Sequence, residues 1–157
     1  MNPFKPWLLP AIFTFLLTAS ARPAAAQGGQ RYVDLVFART QRTNDLVYGK
    51  AVDKPTGKPV DLKLDLYEPV GDTVAARPVY VFLFGGGFVA GDKETEPRAY
   101  CELMARRGYV ALAISYRINQ GNVATDGIPA AVSDTRQALR WIYAQAATHR
   151  LDTSRIV

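Results

Sequence analysis

Residues 79–88 read Val79-Tyr80-Val81-Phe82-Leu83-Phe84-Gly85-Gly86-Gly87-Phe88, and this stretch decides the fold. Its first six residues form a continuous apolar run, the pattern of a strand buried on both faces of a largely parallel sheet. Three glycines follow directly. Because glycine lacks a Cβ atom, its backbone can approach a ligand closely and can adopt a positive φ angle. The stretch therefore predicts a buried strand whose tip can present backbone amides to an oxyanion or a phosphate.

The rest of the chain alternates between strand and helix patterns around that run. Apolar and polar residues alternate over Leu62–Tyr67, which predicts a strand with one face in water. A proline opens and a glycine follows the helix predicted for Pro97–Arg107. The other predicted elements are strands at Tyr32–Phe37, Leu46–Val52 and Tyr109–Tyr116, a helix at Pro129–His149, and a strand that begins at Arg155. This order predicts an α/β fold with a mostly parallel sheet, flanking helices and antiparallel strands at its start.

The first 26 residues have the layout of a secretory signal peptide. A basic start precedes a largely apolar run from Trp7 to Ala19, and Ala24-Ala25-Ala26 supplies an A-x-A cleavage site. The apolar run is shorter than the ~20 residues that a membrane span needs, and Pro10 interrupts it. We therefore expect a signal peptide over residues 1–26, one domain over residues 27–157, and no stable membrane span after cleavage. The protein is expected to be secreted or periplasmic.

The charge balance gives no support for nucleic acid as a partner. The chain has 19 Lys and Arg against 14 Asp and Glu, a formal net charge of +5. Cleavage after Ala26 removes Lys5 and Arg22, which leaves 17 basic and 14 acidic residues and a net charge of +3. These charges are scattered and form no basic run, so neither nucleic acid nor a membrane surface is indicated.

The cysteine count and the spacing of potential metal ligands argue against a disulfide and against a metal site. Cys101 is the only cysteine, which excludes an internal disulfide, and its sequence context predicts a small buried residue on a helix. No group of potential ligands has the spacing that a metal site needs. We therefore expect neither a metal nor a cofactor.

Three kinds of site place glycines at the end of a strand. A phosphate-binding loop needs G-x-x-x-x-G-K-[ST], but Asp92 follows Gly91 and Lys93 comes one place late. A dinucleotide-binding loop, G-x-G-x-x-[GA], formally fits Gly85–Ala90, yet the next strand ends in Ser-Tyr-Arg and lacks the acid that binds ribose. An oxyanion hole needs backbone N–H groups aimed at the oxygen of a reacting acyl group. The residues alone leave open an oxyanion hole and a tightly packed glycine turn.

Several short motifs follow one another in a distinctive order: Phe82–Phe88, Gly91-Asp92, Arg107–Ala111, Ser115-Tyr116-Arg117, Asp134–Ile142 and Leu151–Ile156. This order resembles the N-terminal part of α/β-hydrolase-fold serine esterases. The similarity extends over residues 62–157 and is strongest to the carboxylesterase and hormone-sensitive-lipase-like groups with an H-G-G-G motif. The resemblance implies an α/β-hydrolase fold whose C-terminal half is absent from this chain, so that residues 27–157 form a partial domain with the oxyanion-hole half.

The resemblance also implies a function and a set of site residues. Such esterases cleave carboxylic esters, here small-molecule esters, through an acyl-enzyme. Gly86 and Gly87 would supply the amides of the oxyanion hole, and Gly85 would shape the turn. Phe84 replaces the histidine that shapes this loop in the family, and a phenylalanine there could instead line an acyl pocket. The G-x-S-x-G nucleophile, the acid and the catalytic histidine are expected beyond Val157.

No residues within the chain are expected to replace that catalytic triad. His149, the only histidine, is predicted to be a solvated surface residue, and Ser115 a structural hydroxyl at the end of a strand. Ser133 and Asp134 fall on the predicted long helix, where Asp134 is expected to form a structural hydrogen bond or ion pair. Two alternatives stay open: an inactive truncated or binding module, and another α/β-hydrolase activity such as a peptidase or deacetylase.

Overall fold

A five-stranded mixed sheet with a helix on each face forms the part of the chain that the structure describes, residues 29–157. The structure is a computed structural model, and the predicted signal peptide lies outside the described residues. In chain order the elements are β1 (Thr40–Asp53), β2 (Lys58–Pro69), β3 (Arg77–Leu83), α1 (Glu96–Arg106), β4 (Val110–Ile114), α2 (Ile128–Ala144) and β5 (Leu151–Ile156). A single π-helical turn, Val123–Gly127, leads into α2.

The sheet combines an antiparallel start with a parallel remainder. Its spatial order is β1–β2–β4–β3–β5. The β1–β2 hairpin and the β2–β4 pair are antiparallel, whereas β3 runs parallel to both β4 and β5. The predicted α/β class, with antiparallel strands ahead of parallel ones, is confirmed.

The apolar strands β3 and β4 are covered from both sides. Helix α2 packs on one face of the sheet through Ala138 and Ile142. On the other face, Cys101 and Ala105 of α1 pack against Ala111 and alternate residues of β4. Complete burial of an aliphatic side chain such as that of Ile142 contributes about 1.5–3 kcal/mol. The predicted role of Cys101 as a small buried residue is confirmed.

Helix α1 begins and ends one residue earlier than the predicted Pro97–Arg107. Asp92 Oδ1 accepts hydrogen bonds from the amides of Glu94 (2.8 Å) and Thr95 (2.9 Å), which closes the turn ahead of the helix. Pro97 lies in the first turn, where its missing N–H costs no helical hydrogen bond. After the helix the chain reverses through Gly108, at a φ of 104°. The start of α1 thus fixes one end of the segment that carries the three glycines.

The strand predicted at Tyr32–Phe37 is wrong. These residues form turns and irregular backbone along the C-terminal end of α1. The amide of Tyr32 donates to the Arg107 carbonyl oxygen (2.8 Å), and the amide of Phe37 donates to that of Arg106 (2.9 Å). The apolar side chains that suggested a strand therefore belong to a segment that caps a helix.

Helix α2 is shorter than predicted and β5 is longer. The helix ends at Ala144 and not at His149, and β5 begins at Leu151 and not at Arg155. The amide of Leu151 donates to the Ala146 carbonyl oxygen (2.8 Å), which closes the turn between the two elements. No helix within residues 29–157 has both the length and the apolar composition needed to cross a membrane.

The predicted water-facing side of Leu62–Tyr67 is also wrong at its centre. Asp65 and Tyr67 of β2 are completely buried. Arg42 from β1 and Lys93 from the segment before α1 cover them and form ion pairs with the Asp65 carboxylate. Alternation of polar and apolar residues predicted the strand correctly, but here the polar position faces an internal charge cluster.

Candidate functional site

The three glycines lie at the carboxyl end of β3, between the neighbouring strands β4 and β5. We call residues 84–91 the glycine loop. Gly85, Gly86 and Gly87 are all exposed there, so the structure brings the three predicted site residues together in one accessible turn. In open α/β sheets, ligands bind at the carboxyl ends of the strands. The glycine loop therefore occupies the position where a ligand site is expected.

The backbone of the glycine loop turns through consecutive positive φ angles. These are 130° at Gly86, 62° at Gly87 and 67° at Phe88. The Gly86 carbonyl oxygen accepts hydrogen bonds from the amides of Val89 (3.2 Å) and Ala90 (3.1 Å). A Cβ atom on Gly86 would lie 2.1 Å from the Ala90 carbonyl oxygen, so only glycine fits at that position.

The amides at the top of this turn are available to a ligand. Those of Gly86, Gly87 and Phe88 donate to no acceptor within residues 29–157. Successive unpaired amides in a tight turn form a concave surface that attracts anions. Chemically, the loop can stabilise negative charge on an oxygen.

Phe84, which replaces the motif histidine, is buried under the loop. Only 5% of the residue is exposed, and its ring stacks on that of Tyr116 with centroids 4.3 Å apart and planes 12° apart. The Tyr116 hydroxyl donates a 2.7 Å hydrogen bond to the Phe84 carbonyl oxygen. Gly91 lies against the same ring, where a Cβ atom would be 2.5 Å from Phe84 Cδ2. This burial contradicts a role for Phe84 in lining an acyl pocket; the residue fixes the start of the loop instead.

The middle and the far end of the glycine loop are also held. The amide of Asn119 donates to the Phe88 carbonyl oxygen at 2.9 Å. Just beyond the loop, Lys93 Nζ donates to both carboxylate oxygens of Asp65, each at 2.9 Å. Three attachments, to Tyr116, Asn119 and Asp65, therefore define the conformation of a short exposed segment.

The charges around Asp65 form one internal network. Its carboxylate also accepts hydrogen bonds from Arg42 (2.6 Å) and from the amide of Asp45 (2.8 Å). Burial lowers the pKa of Lys93, but its hydrogen bonds with Glu94 and Asp65 outweigh burial and raise that pKa. Hydrogen bonds from Lys93 and then Arg42 lower the pKa of Glu94 to about 2. Lys93 and Glu94 are therefore both charged at neutral pH.

An open groove of about 460 Å³ lies beside these attachments. Lys93 and Tyr116 line it together with Ser115, and it continues along the hairpin to Asp53 and Gln120. Its lining combines acidic and basic side chains with the apolar residues Val60, Leu62 and Ile118. The glycines are not part of this lining, so the groove lies next to the loop and not over it.

His149 lies at the opposite end of β3 from the glycine loop. Its carbonyl oxygen accepts a 2.6 Å hydrogen bond from Arg77, the first residue of that strand. A seven-residue strand is roughly 20 Å long, so this imidazole cannot act on a group bound at the loop. The ring stacks on Trp141, and its side chain is only 21% exposed. The predicted solvated surface position is thus only partly correct, because the imidazole is half-buried against Trp141.

Asp134 forms the structural ion pair that its position predicts. Its carboxylate is completely buried and accepts hydrogen bonds from Arg117 Nε (2.9 Å), Nη2 (2.8 Å) and the Arg117 amide (2.9 Å). Ser133, the residue before it, is exposed on α2. At Ser115 the backbone is fixed by hydrogen bonds to Lys63 and from Tyr48. None of these residues forms a nucleophile–base pair with another.

Sequence patterns do not predict the attachments of the loop. Asp65 and Lys93 are 28 positions apart, and only the order of strands in the sheet brings them together. Tyr116 gives a weak signal, since it ends the strand predicted next to β3 and could reach the loop from there. Residues 29–157 contain no group of three or more His, Cys, Asp or Glu residues placed to hold a metal ion.

Comparison with known proteins agrees with this architecture. A family model described as BD-FAE matches residues 64–157. Esterase LipI of Mycobacterium tuberculosis is 27% identical over 133 residues, which cover 78% of this chain and 40% of LipI. The thermophilic esterase Est2 of Thermogutta terrifontis has a TM-score of 0.59 and 34% identity, over 71% of this chain and 37% of Est2. Esterase B of Lactobacillus rhamnosis has a TM-score of 0.60 and 22% identity, over 76% of this chain and 35% of that protein.

These matches show which family the chain belongs to and how much of a relative's length the chain spans. The chain spans about 40% of the length of the curated relative that it matches. The matched region, residues 64–157, is more than half of the chain and contains the glycine loop together with its attachments to Tyr116, Asn119 and Asp65. The chain belongs to the BD-FAE family and has the α/β-hydrolase fold.

Proposed function

We propose that this chain supplies the oxyanion hole of a serine hydrolase that cleaves carboxylic esters of small molecules through an acyl-enzyme. One observation carries the proposal: Gly86 and Gly87 are exposed residues at the carboxyl end of β3, and their amides have no acceptor within residues 29–157. The names of its relatives, LipI, Est2 and Esterase B, support ester hydrolysis as the reaction class.

The loop acts on the charge that develops during acyl transfer. A serine hydroxyl attacks the ester carbonyl carbon while a histidine takes its proton, and the carbonyl oxygen becomes an oxyanion. The Gly86 and Gly87 amides donate hydrogen bonds to that oxygen, and one such donor contributes about 10²–10³ in rate. The carbonyl then re-forms as the alcohol leaves with the proton from histidine, and water hydrolyses the acyl-enzyme in the same way.

The nucleophile, the acid and the histidine of this reaction come from outside residues 29–157. Within that range the serines are Ser115, Ser133 and Ser154, and none is flanked by glycines as a G-x-S-x-G motif requires. We place all three catalytic residues in sequence that follows Val157. The coverage of only 40% of LipI supports this placement.

The test is made on the native protein as its gene encodes it. Its intact mass is measured before and after treatment with a fluorophosphonate, and hydrolysis of p-nitrophenyl acetate is followed in parallel. We expect a mass above that of residues 27–157, one phosphonyl adduct and ester hydrolysis. A folded protein with neither adduct nor hydrolysis would contradict the proposal. Hydrolysis of a peptide or an N-acetyl amide in place of the ester would instead indicate a different hydrolase activity.

We also infer that the protein is exported. The layout of residues 1–26 supports this inference. N-terminal sequencing of the protein from its own cells is expected to begin at Gln27. Retention of Met1 in the mature protein would contradict export through a cleaved signal peptide.

A further inference from the structure

The end of the glycine loop is held by a lysine whose side chain is almost fully buried. Lys93 is 8% exposed, and its ammonium group donates to Asp65 Oδ1 and Oδ2 and to Glu94 Oε1 at 2.7 Å. Immobilising a lysine side chain costs about 1.5–2 kcal/mol in conformational entropy. A lysine in an exposed loop would normally extend into water, so this inward conformation depends on its partners.

The main partner of Lys93 is a rigid point of the sheet. Asp65 lies on β2 opposite Ala113 of β4, and its carboxylate is completely buried. Arg42 and the amide of Asp45 hold the same carboxylate from the β1 side. Asp65 is therefore held between β1 and β4. Its ion pair with Lys93 fixes the position of the lysine relative to the carboxyl end of the sheet.

Close packing connects Lys93 to the glycines. Gly91 precedes it by two residues and lies so close to Gly85 that a Cβ atom on Gly91 would be 2.4 Å from the Gly85 carbonyl oxygen. A displacement of residues 91–93 must therefore displace Gly85 or separate the two ends of the loop. The Tyr116 hydrogen bond holds the start of the loop, at Phe84, and the Asn119 amide holds its middle, at Phe88, so neither contact holds residues 91–93.

We propose that Lys93 is a positioning residue for the oxyanion hole: its ion pair with Asp65 sets where the amides of Gly86 and Gly87 lie. The inference rests on the proposed function, since correct placement of the amides is what catalysis would require. Misplacing a catalytic group by about 1 Å can cost on the order of 100-fold in rate. Lys93 itself does not contact the substrate in this arrangement.

The first test compares three variants of the intact protein. Lys93→Met removes the ammonium group and keeps the aliphatic chain, Lys93→Arg keeps a cation, and Lys50→Met changes an exposed lysine on β1. The Lys50 side chain is 77% exposed, with its nearest carboxylate oxygen, on Asp61, 3.6 Å away. We expect K93M to lower kcat for p-nitrophenyl acetate by about 10- to 100-fold with KM within about twofold. K93R should regain most of the loss, and K50M should match the wild type.

A purely structural role for Lys93 gives a different result. It would lower thermal stability while the folded fraction kept the wild-type kcat. An unchanged kcat in K93M, or a loss confined to KM, would overturn the proposal. Arg42 still pairs with Asp65 in K93M, so this variant keeps a counter-charge for the buried carboxylate.

A second readout separates this proposal from the proposed function. Hydrogen exchange of the peptide that contains Val89 and Ala90, whose amides donate to the Gly86 carbonyl oxygen, is followed by mass spectrometry in wild type, K93M and K50M. We expect faster exchange in K93M alone. If the wild type hydrolyses no ester, the proposed function fails. The exchange experiment still tests whether Lys93 sets the position of the loop, because it does not depend on activity. Unchanged exchange in K93M would overturn its positioning role, and faster exchange would support it.

Discussion

The Tyr116 hydroxyl donates a 2.7 Å hydrogen bond to the Phe84 carbonyl oxygen, directly ahead of the three glycines. The two rings stack in the same contact, with centroids 4.3 Å apart. Phe84 is the residue that ends the apolar run of β3, so Tyr116 determines how the chain leaves the sheet. A phenylalanine in place of the motif histidine is thus compatible with an ordered loop, because Tyr116, two residues beyond the end of β4, supplies the hydrogen bond.

Replacing Tyr116 by phenylalanine should destabilise the protein. Tyr116→Phe keeps the ring stack but leaves the buried Phe84 carbonyl without its donor, which typically costs about 1–3 kcal/mol. Urea denaturation of the intact protein measures the free energy of unfolding. Tyr143→Phe is the matched control, because Tyr143 is 59% exposed, and it should stay within about 0.5 kcal/mol of wild type. Equal stabilities of the two variants would contradict the role of Tyr116.

Replacing Gly86 should disrupt the proposed oxyanion hole. In Gly86→Ala the new Cβ atom meets the Ala90 carbonyl oxygen at 2.1 Å, at a φ of 130°, so the turn must change shape. We expect kcat for p-nitrophenyl acetate to fall by about 100-fold, comparable to the loss of one oxyanion donor. Gly57→Ala is the control: its φ is also positive, at 66°, but no atom lies within 4 Å of the new Cβ. It should cost about 1 kcal/mol of stability and leave kcat unchanged; equal kcat values in both variants would be evidence against an oxyanion role.

The sequence predicts the sheet better than it predicts the contacts around the loop. Long apolar runs and their alternation with helices define β3, β4 and the place of the glycines, because both periodicity and burial are local properties. Asp65 is different: an isolated polar residue in an alternating strand normally faces water, and only the folded arrangement of Arg42 and Lys93 makes its burial favourable. Tertiary contacts likewise determine the conformation of Tyr32–Phe37. The backbone of this segment forms hydrogen bonds with the end of α1 and not with the sheet.

The Arg117–Asp134 pair should contribute strongly to stability. Asp134→Ala leaves the Arg117 guanidinium, whose side chain is only 16% exposed, without its carboxylate, and breaking a buried ion pair on one side typically costs about 3–5 kcal/mol. Glu102→Ala breaks the exposed Arg98–Glu102 pair on α1 and should cost no more than about 0.5 kcal/mol. Chemical denaturation of both variants tests this contrast, and similar losses would show that burial does not determine the effect.

Cys101 should be unreactive in the folded protein. Its thiol is completely buried, and that burial raises its pKa to about 12. Since the thiolate is the reactive form, almost none is present at pH 8. We expect Cys101 not to react with 5,5′-dithiobis(2-nitrobenzoate) at pH 8 in the folded protein. After denaturant is added, this one cysteine of residues 1–157 should react. Rapid reaction without denaturant would mean that the face of the sheet covered by α1 opens.

The low pKa of Glu94 predicts a loss of stability in acid. Lys93 and then Arg42 lower this pKa from 4.5 to about 2. Because the folded-state pKa is depressed, the stabilisation is fully present above pH 4.5 and disappears as the pH falls towards 2. The difference in unfolding free energy between wild type and Glu94→Gln should therefore shrink over that range. The control is Glu96→Gln, which removes an exposed carboxylate without an ion pair among residues 29–157 and therefore measures the substitution without the loss of a pair. A constant difference between wild type and E94Q from pH 5 to pH 2 would contradict the pairing of Glu94 with Lys93.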